Sequence, residues 1–226
     1  MSKVLFVLTS HDKLGDTGKK TGFWLEEAAS PYYEFIDNGV ELVLASPKGG
    51  EPPVDPKSSS EEWQTESTRR FSEDEEAQKR FRNTVRLEDV NADDFDAIFI
   101  PGGHGPMWDL SQNDKLAELV SAFERDNRII SAVCHGPAGL IKATNKDGSP
   151  FVQGRKISAF TNSEERAVEL EDVVPFLLES KLRELGADFQ GVEDFKPYVV
   201  RDKNVVTGQN PASSTKAARE VISLLN

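Results

Sequence analysis

The sequence predicts an α/β protein in which a mostly parallel central sheet is covered by helices on both faces. Short apolar runs rich in β-branched residues, such as residues 4–8 and 129–133, alternate with longer amphipathic stretches. This alternation is typical of strand–helix–strand units, which build parallel sheets. The 226 residues are also enough to bury one large core without disulfides or metals. We therefore expect a single domain over residues 1–226.

The predicted elements follow in chain order. Strands are expected at residues 3–8, 40–46, 97–100, 129–133 and 156–160, with short strands or edge pieces at 189–192, 198–201 and 205–207. Helices are expected at about 22–38 and 113–126, through residues 140–141, from about 175 to 186, and from 210 to about 225. Pro31 should kink or divide the first of these helices, and Gly39 should end it in the left-handed conformation.

The alternation lapses only at residues 48–94, which are polar and contain two consecutive prolines and a serine run. A loop of this length in a compact domain is uncommon unless it has a function or a structure of its own. We expect an insertion with one helix, at about 73–83, that lies over or beside the functional site. Its acidic run at 73–76 is interpreted as a solvated surface.

Composition excludes several classes of protein. A net charge of −12 argues against binding to nucleic acid or anionic membranes. The single cysteine, Cys134, excludes an internal disulfide and a cysteine-based zinc or iron–sulfur site. No apolar run approaches the ~20 residues that span a bilayer, and no signal peptide precedes the first strand pattern. We expect a cytoplasmic protein.

The most informative segment surrounds Cys134. A buried strand at 129–133 runs into this potential nucleophile, with small residues two positions before it, Ala132, and two after it, Gly136. This is the pattern of a nucleophile elbow, written with Cys in place of Ser. The sharp turn strains the backbone and leaves no room for bulky neighbours. The elbow places the sulfur at a helix N-terminus, which we expect to lower the pKa of the thiol.

A second strand end opens into a glycine turn at residues 101–105. Gly102 and Gly103 allow close backbone approach, so this turn is a candidate for one donor of an oxyanion hole, with the N–H of His135 as the other. The turn matches neither common phosphate-binding glycine pattern.

The remaining candidate site residues are two pairs of adjacent glutamates and the three histidines. In each of the pairs Glu26–Glu27 and Glu164–Glu165, one side chain can point inward while its neighbour is solvated. The three histidines allow a site of two histidines and one carboxylate, but no H-x-x-x-H or H-E-x-x-H spacing is present, and we expect no metal.

Three motifs together resemble the ThiJ/PfpI superfamily. They are the glycine turn 101–105, the elbow 132–137 and the N-terminal stretch 20–27, and the similarity extends to residues 207–211. The N-terminal stretch is similar to one branch in particular, the glutathione-independent glyoxalases (glyoxalase III) and heat-shock chaperones. The resemblance implies a flavodoxin-like sandwich, similar to class I glutamine amidotransferases, that is often a homodimer.

The resemblance also implies the roles of individual residues. Cys134 matches the nucleophile, His135 the adjacent histidine, Glu165 the acid of the triad, and Glu27 the carboxyl beside the thiol. The oxyanion- and substrate-binding positions correspond to Gly102, Gly103, His104 and Trp24. In each glutamate pair a register error of one residue remains open.

The implied reaction converts methylglyoxal, a 2-oxoaldehyde, to lactate through a hemithioacetal on Cys134, without a cofactor. Because a carboxylate beside a thiolate places like charges together, we expect Glu27 and Cys134 to share one proton. The alternatives from the same resemblance are a holding chaperone for unfolded proteins, a protein deglycase and a cysteine peptidase or amidase. The physiological substrate, the oligomer interface and the oxidation state of Cys134 stay open.

Overall fold

The computed structural model describes residues 2–226 and confirms the α/β class. Its helices and strands are, in chain order, β1 Lys3–Val7, α1 Leu25–Asp37, β2 Glu41–Ser46, α2 Glu66–Glu73, α3 Glu75–Arg82, β3 Val85–Arg86, β4 Ala97–Ile100, α4 Asp114–Arg125, β5 Ile129–Val133, β6 Lys156–Ile157, α5 Asn162–Ala167, α6 Leu178–Glu184, β7 Asp188–Phe189, β8 Val199–Asp202, β9 Val205–Gly208 and α7 Ser214–Leu225.

The main sheet has seven strands in the order β3-β2-β1-β4-β5-β9-β8. All neighbours are parallel except β8 and β9, and β6 and β7 form a separate parallel pair. Alternate side chains of the central strands enter two apolar clusters on opposite faces of the sheet. Leu5, Ile98 and Ile130 lie in one cluster, and Phe6 and Phe99 in the other. Burial on both faces explains why these strands are continuous apolar runs.

The strand order fixes where a ligand can bind. The chain moves outward from β1 through β2 to β3 and then returns to the other side of β1 as β4. In open parallel sheets, ligands bind in the crevice at the carboxyl ends of strands, near the point where the order reverses. The glycine turn and the elbow follow the carboxyl ends of β4 and β5, which are neighbours in the sheet. The topology therefore brings the two motifs together.

The first helix continues through Pro31 instead of dividing there. A proline in this position leaves the carbonyl of Glu27 without its helical donor. Burial of the surrounding face, including Ala28, Tyr32 and Phe35, compensates for that loss. Gly39 has a φ of +74° and ends the helix as predicted.

The segment 48–94 contains two helices where one was expected. The predicted helix is α3, and α2 precedes it, with a capping box formed by Thr65 and Thr68. Helix α3 packs Phe81 against Phe6 and Tyr32 instead of covering the strand ends. The short strand β3 adds an edge to the sheet beside β2.

One strand prediction differs from the structure, and the structure decides between the two alternatives of another. The strand expected at 156–160 is only β6, because the backbone beyond it bonds elsewhere: the N–H of Ser158 donates to the Thr207 hydroxyl and the N–H of Phe160 donates to the carbonyl of Cys134. Strand β9, for which a short strand or an edge piece was expected, is a short strand inside the sheet between β5 and β8. Across residues 2–226, no helix combines the length and apolar character needed to cross a membrane.

Candidate active site

Cys134 lies directly after β5 in a strained backbone conformation. Its φ is +58°, in the left-handed region that residues other than glycine rarely adopt. Two hydrogen bonds of 2.9 Å hold this turn, from the Cys134 N–H to the carbonyl of Gly208 and from the Phe160 N–H to the carbonyl of Cys134. A strained residue that its surroundings fix in this way is typical of a functional site. The elbow predicted from the small flanking residues is present.

Gly136, the small residue two positions after Cys134, is required for a steric reason. A Cβ atom added to Gly136 would lie 2.1 Å from the carbonyl oxygen of Ile100, at the end of the neighbouring strand β4. Only glycine therefore allows the elbow to pack this closely against the next strand. Gly136 begins a short 3₁₀ helix, Gly136–Leu140, in the place where a short helix through residues 140–141 was expected.

The side chain of His135 connects the thiol of Cys134 to the buried carboxylate of Glu165. Sγ of Cys134 lies 3.4 Å from Nδ1 of His135, and Nε2 of His135 lies 2.6 Å from Oε2 of Glu165. The other oxygen of Glu165, Oε1, lies 2.7 Å from Nε2 of His104. All four residues are buried. The geometry is that of a nucleophile, a base and an orienting acid, with a second histidine on the acid.

The ionised carboxylate of Glu165 determines which nitrogen of His135 carries the proton. Burial raises the pKa of Glu165, but the electrostatic interaction with His135 and the hydrogen bonds from His104 and His135 outweigh it and hold the pKa well below its usual range. The pKa of His135 is lowered by burial and by His104, against the opposing effect of Glu165. An ionised carboxylate only accepts hydrogen bonds, so Nε2 of each histidine carries the proton. Neutral His135 then presents the lone pair of Nδ1 to the thiol of Cys134.

Glu27 approaches the thiol from helix α1. Its Oε2 accepts a 2.8 Å hydrogen bond from the N–H of Gly102, and its Oε1 is buried without a hydrogen-bond partner among residues 2–226. Burial raises the pKa of Glu27 to about 8, although the nearby Cys134 thiol and Gly102 N–H lower it in part. At neutral pH Glu27 is therefore mainly a neutral carboxylic acid.

The expected lowering of the thiol pKa is wrong. Burial raises the pKa of Cys134 well above its ordinary value, and the carboxyls of Glu27, Glu164 and Glu165 raise it further. The short 3₁₀ turn after the elbow is too short to supply the helix dipole on which the expectation relied. Both Cys134 and Glu27 hold a proton at neutral pH, so the pair shares a single proton only above the Glu27 pKa of about 8.

The backbone N–H groups around the sulfur differ in whether they already have a hydrogen-bond acceptor. Gly102 was expected among the oxyanion- and substrate-binding residues, but its N–H is already donated to Glu27. Gly103 has a φ of +88°, and a Cβ there would lie 2.4 Å from the carbonyl oxygen of Gly22. Residues 2–226 offer no hydrogen-bond acceptor to the N–H of Gly103 or of His135. Gly103 and His135 line the cavity together with Cys134, so these two N–H groups are candidates for the donors of an oxyanion hole.

The structure separates the members of each glutamate pair. Glu165 contacts both histidines, whereas Glu164 accepts hydrogen bonds from Thr161 and from the Asn210 side chain in a fully buried structural network. Glu27 faces the thiol, and Glu26 accepts from the hydroxyl of Thr65 in the segment before α2.

His104, His135 and Glu165 also form a possible metal-binding cluster, which sequence spacing did not indicate. One ligand atom from each lies within 4.8 Å of the other two. Two imidazoles and a carboxylate suit zinc or ferrous iron. Glu165 already bonds to both histidines, so an ion bound here would compete for the carboxylate that now holds His135.

The thiol opens into a cavity of about 610 Å³. Trp24 and His104 line it as predicted, although the Nε2 of His104 is engaged by Glu165. Sequence reasoning missed Trp63 and Phe195, which also line the cavity and are exposed by 37% and 46%. An isolated tryptophan in the polar segment 48–94 was the available signal for Trp63. No local pattern distinguished Phe195.

Comparisons with known proteins agree with this geometry. The DJ-1/PfpI family profile matches residues 20–224. The glutathione-independent glyoxalase HSP31 of Saccharomyces cerevisiae is 30% identical over 99% of this chain and 98% of its own length. Two solved structures superpose over nearly the whole chain.

The first is the Rapid Encystment Protein of 24 kDa from Francisella tularensis, which is 38% identical, has a TM-score of 0.95 and is matched over 100% of both chains. The second is glyoxalase III of Candida albicans, which is 28% identical, has a TM-score of 0.91 and covers 98% of this chain and 96% of its own. The resemblance read from the elbow, the glycine turn and the N-terminal stretch is thereby confirmed. The chain belongs to the DJ-1/PfpI family.

Proposed function

We propose that this protein is a glutathione-independent glyoxalase that converts methylglyoxal and related 2-oxoaldehydes to 2-hydroxy acids. The observation that carries the proposal is the chain Cys134–His135–Glu165 beside two free N–H donors and the neutral carboxyl of Glu27. The names of the relatives in Saccharomyces cerevisiae and Candida albicans support the same activity.

The first step forms a carbon–sulfur bond. Nδ1 of His135 takes the thiol proton as Sγ of Cys134 attacks the aldehyde carbon of the substrate, and ionised Glu165 stabilises the resulting imidazolium. This explains how a thiol with a raised pKa reacts: the thiolate exists only during the attack. The N–H groups of Gly103 and His135 stabilise the oxyanion of the hemithioacetal.

The second step moves a hydrogen within the substrate. Glu27 gives the proton of its unpartnered Oε1 to the ketone oxygen of the substrate and, then a carboxylate, removes the hydrogen from the former aldehyde carbon, which forms an enediol whose other oxygen stays on the N–H groups of Gly103 and His135. It returns a proton to the neighbouring carbon, which leaves a thioester on Cys134. Water releases the hydroxy acid. The aldehyde carbon is oxidised as the ketone carbon is reduced, so the reaction consumes one water and needs no external oxidant, reductant or cofactor.

The direct test is consumption of methylglyoxal in a buffer without glutathione, with lactate resolved by chiral chromatography. Proton return at a fixed position in the site should give mainly one enantiomer. Consumption without lactate would contradict the proposal, because it would indicate only trapping of the aldehyde by amines and thiols.

Exchanging each member of the buried glutamate pair for glutamine tests the assignment of the acid. Glu165→Gln should lower kcat by about 100-fold, because a neutral amide no longer stabilises the His135 imidazolium. Glu164→Gln should instead lower the free energy of unfolding by about 2 kcal/mol, because it weakens hydrogen bonds to a buried charge. Lactate formation and urea unfolding are measured on both variants. The reverse pattern would move the acid to Glu164.

The chaperone alternative has less support in the geometry. The exposed large apolar side chains among the described residues are Trp63, Val85, Val192 and Phe195. A surface that holds unfolded proteins needs an extended exposed apolar patch, and these are only four side chains. Trp63 and Phe195 line the cavity of the thiol, which favours a role in substrate binding.

A further inference from the structure

The cavity above Cys134 is much larger than methylglyoxal requires. Its volume of about 610 Å³ falls in the range of roughly 300–1,000 Å³ that holds drug-sized ligands. Methylglyoxal has only a methyl group beyond its two carbonyl carbons. Most of the space therefore lies beyond the reacting atoms, and its walls determine which substituents a 2-oxoaldehyde can carry.

Aromatic side chains form part of these walls. Trp24 meets Trp63 edge to face at 5.2 Å, and Phe160 meets Phe195 at 6.3 Å, with both pairs lining the cavity. Phe195 has a φ of +59°, and its N–H donates to the buried carboxylate of Glu164. The loop that carries Phe195 is thus held in place, and the aromatic walls suit a flat apolar body.

Three lysines lie at the same cavity: Lys19, Lys20 and Lys57. Within the described chain no carboxylate lies within 4 Å of Nζ of Lys19 or Lys57, and Lys20 has only a 3.8 Å contact with exposed Asp12. Nζ of Lys57 lies 5.8 Å from the centre of the Trp63 ring. Lys57 thus places a cation beside an aromatic ring in the wall of the cavity, and Lys19 and Lys20 add two more cations to the same lining.

The acidic side chains that line the cavity neutralise little of the positive charge of these three lysines. The acidic residues that line it are Glu27 and Asp55. Glu27 is mainly neutral at pH 7, since its pKa is raised to about 8 by burial. Asp55 is buried and accepts hydrogen bonds from the Thr21 hydroxyl and the Lys57 N–H. On a chain with a net charge of −12, this cavity carries a local positive excess.

We infer that Lys19, Lys57 and Trp63 form a distal subsite for 2-oxoaldehydes whose apolar or aromatic body ends in a negatively charged group. The inference rests on the proposed glyoxalase activity for its reaction but not for its binding. Asp55, Lys57 and Trp63 come from the segment 48–94, which gives that insertion a role in substrate selection.

The test compares methylglyoxal, phenylglyoxal and 4-carboxyphenylglyoxal as substrates of the full-length protein. We expect kcat/KM for 4-carboxyphenylglyoxal to exceed that for phenylglyoxal by about five- to tenfold at low ionic strength, and to lose most of this advantage in ~0.5 M salt. Lys57→Gln and Lys19→Gln should each reduce the ratio by about two- to fivefold. Lys216→Gln, which removes an equal charge from an exposed position on α7 outside the cavity, should leave the ratio unchanged.

Binding separates this inference from the proposed activity. Calorimetry on Cys134→Ala with 4-carboxymandelate and mandelate, the hydroxy-acid products, should show tighter binding of the dianion and loss of that difference in Lys57→Gln. Equal affinity for the two, or equal kcat/KM for the two aryl substrates, would overturn the subsite. Failure of the wild type to form lactate from methylglyoxal, with the binding difference intact, would overturn only the glyoxalase proposal.

Discussion

Cys134→Ala is expected to reduce lactate formation from methylglyoxal by at least about 1,000-fold, because no other group in the site can form the thioester. The substitution keeps the Cβ atom in its left-handed position and retains both backbone hydrogen bonds that hold the elbow. It removes only one buried sulfur atom, so the free energy of unfolding should change by about 1 kcal/mol or less. Chirally resolved lactate and urea unfolding are the two measurements.

Cys134→Ser is the matched control, since its hydroxyl has the same shape but is far less acidic and a weaker nucleophile. Both variants should fold and both should lack activity. Turnover by the alanine variant near the wild-type rate would remove the thiol from the mechanism. Light scattering of an aggregating client protein, with the wild type and Cys134→Ala, separates the chaperone alternative, because holding of unfolded chains does not require the thiol.

The parts of the site that could be predicted are those encoded within one strand and its following turn. The elbow at Cys134 could be predicted because Ala132 and Gly136 must be small where the strands lie close together. In the structure Gly136 lies against the carbonyl of Ile100. The glycine turn after β4 was readable for the same reason. Parallel pairing of β4 and β5 then made the approach of these two motifs a consequence of topology.

The parts that could not be predicted depend on contacts between distant segments. Whether Glu164 or Glu165 faces His135 is decided by the packing of α5, in which Glu164 bonds to Thr161 and Asn210. His104 reaches Glu165 across 61 positions of sequence, so the three-residue cluster left no spacing signal. The same holds for Phe195, whose place at the cavity depends on a hydrogen bond to Glu164.

The direction of the thiol pKa shift was mispredicted for a physical reason. Sequence reasoning weighed the helix N-terminus, which lowers the pKa of a thiol, and the carboxyl of Glu27, but had no measure of burial or of the other two glutamates near the sulfur. Cys134 is only 3% exposed and lies near three glutamates. In a low-dielectric site, desolvation outweighs the dipole of a single short turn. The local motif therefore predicted the elbow at Cys134 correctly and the direction of its pKa shift incorrectly.

Glu27→Gln is expected to lower kcat for methylglyoxal by about 1,000-fold, within the range that general acid–base groups contribute. Glutamine can still accept the N–H of Gly102, so the local geometry is retained, but it cannot move the proton between the two carbons. In the wild type, activity should fall as pH rises through about 8, because Glu27 loses the proton that it must donate. The residual activity of the variant should lack this limb of the pH profile.

The same substitution should stabilise the protein in alkaline solution. The pKa of Glu27 is raised from 4.5 to about 8 in the folded chain by burial, so the folded state resists losing a proton that the unfolded state gives up readily. The wild type therefore loses stability as pH rises between these two values, and the neutral glutamine does not. The difference in unfolding free energy between Glu27→Gln and the wild type should grow by on the order of 3 kcal/mol from pH 5 to pH 8. Urea unfolding at the two pH values measures it, with Glu118→Gln, at an exposed position of α4, as the control. An inactive variant whose stability follows the wild type at both pH values would show that Glu27 is ionised in the folded protein and would remove it as the proton donor.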